Sequence, residues 1–91
     1  MKVDILSPEK NIFTGEASAV SLPGVDGVFQ VLNNHAPIIS SLKKGDVVLS
    51  GVSETQENNE NIEKLPNNQV KITINGGMVE LTNNKLIVLA N

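Results

Sequence analysis

Cysteine, tryptophan, tyrosine and arginine are absent from this chain of 91 residues, and its aromatic set is limited to Phe13 and Phe29. Without cysteine there is no disulfide, no thiolate metal site and no dithiol chemistry, and an intracellular setting is permitted. Without arginine the chain has no planar fork for bidentate grip on phosphate or carboxylate, since every cation is a lysine. Nucleic-acid binding needs basic patches and, for single strands, aromatic faces on which bases stack. A net charge of -3 and a pI near 4.9 argue against that class of partner. No apolar run is long enough to cross a bilayer as a helix, and "MKVDILSPEK" has no apolar core followed by a small-residue cleavage site. The chain is therefore expected neither to span a membrane nor to carry an export signal.

Catalytic signals are equally scarce. His35 is the single histidine, so no HxH or HExxH pattern can be written, and one imidazole more simply hydrogen-bonds a loop or a partner than holds a metal. Ser40 and Ser41 follow it, yet no GxSxG elbow or orienting carboxylate accompanies them. The glycines of "GVDG" and "NGG" fit neither GxGxxG nor a phosphate loop and read as turn glycines. Glu54, Glu57, Glu60 and Glu63 lack the Asp and Gly of a calcium loop and read as a solvated face. No catalytic residue, cofactor or metal is expected.

What remains is an aliphatic chain, 40% hydrophobic and mostly Val, Ile and Leu, which favours a β-rich core. Alternation of apolar and polar residues recurs throughout. Val3 and Ile5 share a face, as do Val20 and Leu22, while Val70, Ile72 and Ile74 alternate with Lys71, Thr73 and Asn75. "NIFTGEASAVSL" reads as two short strands with a break at Gly15, and "VFQVL", "PIISSL" and "VVLSGV" read as further strands. Turns fall at "PGVDG", at Lys43 to Asp46, at Gly76 and Gly77, and at Asn83 and Asn84, which accept left-handed backbone. Residues 53 to 68, "SETQENNENIEKLPNN", offer only Ile62 and Leu65 for burial and read as a polar insertion loop. A helical turn over "ENIEKL" would be too short to stand alone. The expected fold is all-β: one domain over residues 1–91, a flattened antiparallel sandwich or barrel of about nine or ten short strands with no substantial helix.

Two readings of function survive. One is a carrier domain of the biotinyl or lipoyl kind, because "KKGDVV" is similar to a segment of those barrels. That reading needs a lysine at a hairpin tip beside Met or Asp, and Lys71 instead sits inside an alternating strand. The other is a β-sandwich interaction module, and "PGVDGVFQVLNNHAPIISSLKKG" carries it further. Together with "VDILSPE", "FTGEA" and "INGGMVELTNNKLIVLAN", in this order, it resembles the epsilon subunit of the F-type ATP synthase, across nearly the whole chain except 53 to 68.

The resemblance implies a non-catalytic rotor subunit at the foot of the central stalk, coupling proton-driven rotation to ATP synthesis. Its partners would be the gamma subunit and the ring of c subunits, and its place the cytoplasmic face of a bacterial membrane, held there peripherally. By that likeness Ser7, His35, Ala36, Pro37, Ile38 and Ser40 would contact gamma, and Gly24, Val25, Asp26, Gly27 and Val28 would contact the ring. Val28 stands where the family often has an acidic residue, and Gln30 where it often has glycine, which leaves Asp26 as the polar group of that turn. Longer family members continue beyond the position of "VLAN" into a two-helix hairpin that inhibits ATP hydrolysis and in some cases binds ATP. These residues are accordingly expected not to bind ATP.

Overall fold

The computed structural model describes residues 1–52 and 62–91. Those residues contain β1 (Lys2–Leu6), β2 (Asn11–Glu16), β3 (Ala19–Gly24), β4 (Gly27–Leu32) and β5 (Ile38–Leu42). They continue with β6 (Gly45–Ser50), β7 (Ile62–Leu65), β8 (Gln69–Ile74), β9 (Gly77–Thr82) and β10 (Lys85–Ala90). One layer runs β2-β1-β10-β9-β5 and the other β4-β3-β6-β8-β7, and the Gly24–Leu42 bridge between β3 and β5 curls them into one sheet. The fold is an all-β sandwich, as the alternation predicts.

The pairing is antiparallel except between β1 and β10, which run side by side in parallel from Lys2 opposite Lys85 to Leu6 opposite Leu89. Period-2 alternation then puts Val3, Ile5, Val79, Leu81, Leu86 and Val88 inward from the first layer, and Val20, Leu22, Val31, Val47, Leu49, Val70 and Ile72 inward from the second. Each such side chain, removed from water, contributes about 1.5–3 kcal/mol. Phe13, fully buried, is placed by an irregularity in the β1–β2 ladder: Ile5 pairs with Phe13 but Leu6 with Asn11, so Ile12 is the extra residue and both Ile12 and Phe13 turn inward.

Two boundaries, at Gly15 and within 53–68, differ from the sequence reading. Gly15 is no break, because β2 runs through it. A methyl group there would lie 2.8 Å from Cζ of Phe13, so the glycine makes room for the ring. The expected turn at Gly76 and Gly77 is present, and because β8 pairs with β6 and β7 while β9 pairs with β5 and β10, it carries the chain from one layer to the other. Of the span 53–68, residues 62–65 form β7, an edge strand on β8 in which Glu63 pairs with Lys71 at 3.3 Å. Ile62 packs on the core there, and Asn67 and Asn68 turn the chain in left-handed backbone. Residues 53–61, with Glu54, Glu57 and Glu60, lie outside the described residues.

Candidate functional site

Among the described residues no polar or charged side chain is buried, so their candidate functional groups lie on the surface. Two regions stand out. The first is the β3–β4 hairpin, paired down to Gly24 opposite Gly27 so that Val25 and Asp26 form its tip. Gly27 takes φ +130, a conformation that side-chain-bearing residues rarely adopt. Gly24 is buried, and its backbone approaches the Gly27 carbonyl and the Phe29 ring too closely for a side chain. The hairpin is thus fixed, and it presents Val25 at 53% exposure, Val28 at 74% and Asp26 to solvent. Of the residues that the resemblance assigns to the ring, Val25, Asp26 and Val28 are outward, whereas the two glycines supply only backbone.

The second region is the outer face of the first layer. Cross-strand registers lay it out as a grid, because residues directly opposite share a face. One row reads Asp4, Ile87, Glu80, Ile39 across β1, β10, β9 and β5. The next reads Leu6, Leu89, Met78, Ser41. Ile39 at 68%, Leu89 at 54% and Met78 at 48% are the large apolar groups left exposed on it. They flank a shallow depression that also touches Ile87 and Glu80, and a second depression beside Pro37 and Thr82 extends it toward the β4–β5 loop.

That loop is tied down by its backbone. The His35 amide donates to the Leu32 carbonyl at 3.2 Å, and the Asn34 amide donates to Oδ1 of Asn84 at 2.8 Å. Nδ1 of His35 donates to the Ala36 carbonyl at 2.7 Å, because a carbonyl only accepts, and the ring is exposed. Ala36 and Pro37 follow, both exposed. Ser7 lies at the opposite end of the layer, after Leu6, where its hydroxyl meets the backbone of Lys10 at 3.3 Å in a local turn.

Ile38 and Ser40 lie differently from His35, Ala36 and Pro37. On β5 they lie on the inward side with Leu42, half-buried, and Ile38 packs against the core; Ile39 and Ser41 point outward. Ile39, Met78 and Leu89 were not singled out from the sequence. The available signal was an apolar residue on the wet side of an alternating strand, which Met78 gives, whereas Leu89 lies in the unbroken apolar run Leu86 to Ala90. For Ile39 the adjacent Ile38 hides it.

The whole chain, residues 1–91, matches the family described as "ATP synthase, Delta/Epsilon chain, beta-sandwich domain". It is 40% identical to the ATP synthase epsilon chain of Chlorobium limicola, over 97% of this chain and 85% of that one. It is 39% identical to that of Chlorobaculum tepidum, over 96% and 84%. Against the epsilon chain of Rhodopseudomonas palustris the identity is 37%, over 97% of this chain and 55% of the relative. The fold is similar to a chain in the cryo-EM structure of the central stalk and c ring of the Tetrahymena thermophila mitochondrial ATP synthase. There the TM-score is 0.66 at 16% identity, covering 99% of this chain and 62% of that one. The chain belongs to the ATP synthase delta/epsilon family as its β-sandwich domain, and with the epsilon chains it resembles it is a non-catalytic component.

Proposed function

We propose that this domain works as a docking piece of the rotor, holding a gamma subunit on the outer face of its first layer and the loops of a c ring at its β3–β4 hairpin. The observation that carries the reading is the exposed apolar block of Ile39, Met78 and Leu89, continuous through Pro37 with the His35 loop. An interface that holds under load needs an apolar centre from which water is excluded, and this block offers one. His35, Ala36 and Pro37 form its rim at one end and Ser7 at the other; Ile38 and Ser40 support it from behind.

The hairpin tip, with Val25, Asp26 and Val28, makes the second contact, and the domain sits peripherally on the cytoplasmic face of the membrane through the ring. ATP has no place in this reading, since no phosphate loop can be written in the sequence; a thermal shift on adding ATP would contradict it. The deciding experiment mixes the chain with gamma and c ring from the same cell and follows co-elution by size exclusion. Ile39→Asp is expected to lose gamma by at least tenfold, and Val28→Arg to lose the ring, each with the fold intact by circular dichroism. Retention of both partners by both variants would overturn the assignment.

A further inference from the structure

Of the two carboxylates in this face's outer row, Asp4 stands at the β1 end and lines neither depression, whereas Glu80 lies among the exposed apolar groups, where burial would leave it in difficulty. Glu80 lies in the register row between Ile39 and Ile87, and it lines both depressions of the face. Its neighbours two residues away on the same strand are Met78 and Thr82, neither of them a cation. Among the described residues the one ion pair is Lys71–Glu63, on the other layer, so Glu80 has no counter-charge within 4.0 Å there. In water this costs nothing. Once a partner covers Ile39 and Met78, Glu80 between them loses hydration as well, and a buried charge is tolerated only when paired and hydrogen-bonded.

We infer that Glu80 selects the partner by its chemistry: the surface that seats on this face carries a guanidinium or ammonium group aimed at Glu80 and set among aliphatic side chains. Arginine suits the position better than lysine, because its fork binds a carboxylate bidentately and is more weakly hydrated. This chain has no arginine of its own, so any guanidinium must come from the partner. Lys85 is the internal competitor, standing diagonal to Glu80 through the Thr82–Lys85 and Glu80–Ile87 pairs. It is exposed on the far side of the row from the Met78–Leu89 block. The inference rests on the gamma-docking reading of this face and adds what the partner must present there.

The test titrates purified gamma subunit with the full chain and with Ile39→Asp, Glu80→Gln and Lys85→Met, at about 50 and about 500 mM salt. Glu80→Gln keeps the shape, and Glu80 is exposed, so the fold is unaffected. Affinity is expected to fall at least about tenfold for Glu80→Gln, and with it the salt dependence shown by the unaltered chain. Lys85→Met is expected to leave both unchanged. If Ile39→Asp loses binding while Glu80→Gln binds like the unaltered chain at both salts, the face docks gamma without a cation at Glu80, and the inference fails alone. If Lys85→Met weakens binding as much as Glu80→Gln, the counter-charge is internal and the inference again fails. If Ile39→Asp binds normally, the docking reading falls and takes this inference with it.

Discussion

Gly24 has no room for even a methyl group. A Cβ would lie 2.7 Å from the Gly27 carbonyl oxygen and 2.9 Å from the Phe29 ring, and the backbone oxygen cannot step aside. Gly24→Ala is therefore expected to destabilise the domain by about 1–3 kcal/mol, read as a lower urea midpoint at unchanged slope. It should also loosen the hairpin tip that carries Val25 and Val28. At this scale the sequence was legible where one residue type admits one reason: turn asparagines such as Asn83 and Asn84 do take positive φ, at 52 and 60. It was not legible where two like residues adjoin. Ile38 and Ile39 are equivalent on paper, and only the pairing of Ile39 with Glu80, on the outer side of β9, decides which one points outward.

Among the elements, β8 was plain because Val70, Ile72 and Ile74 alternate without interruption, and all are buried. β7 was hidden because "IEKL" is short, half polar and set in an Asn- and Glu-rich span. Its burial pattern is intermediate at both ends and exposed between, and edge strands of that kind carry little periodic signal. Its strand character has a measurable consequence. Ile62 packs against the core opposite Ile72, while Lys64 is exposed. Ile62→Ala is expected to cost about 1–2 kcal/mol, below the range for a fully buried isoleucine, and Lys64→Ala nearly nothing. Equal and negligible effects of the two in urea unfolding would mean that the segment behaves as solvated loop. The parallel β1–β10 pair was beyond reach for another reason. Each strand is recognisable alone, but no local feature says that segments some eighty positions apart in sequence lie side by side.

At the scale of the molecule both layers contribute to one continuous cluster, from Val3 and Leu86 on one side to Leu49 and Ile72 on the other. A core shared by both layers leaves neither layer of the described residues able to melt without the other. One cooperative transition is expected, with calorimetric and van't Hoff enthalpies equal at about 60 kcal/mol around 60 °C; two resolved transitions would show that the layers unfold separately. The parallel alignment of β1 and β10 has a further outcome when force is applied to the domain. Traction applied at Met1 and Asn91 in opposite directions would draw β1 and β10 past each other along their length. The hydrogen bonds from Lys2–Lys85 to Leu6–Leu89 would then be loaded together in shear, where an antiparallel pair pulled from its open end would unzip one bond at a time.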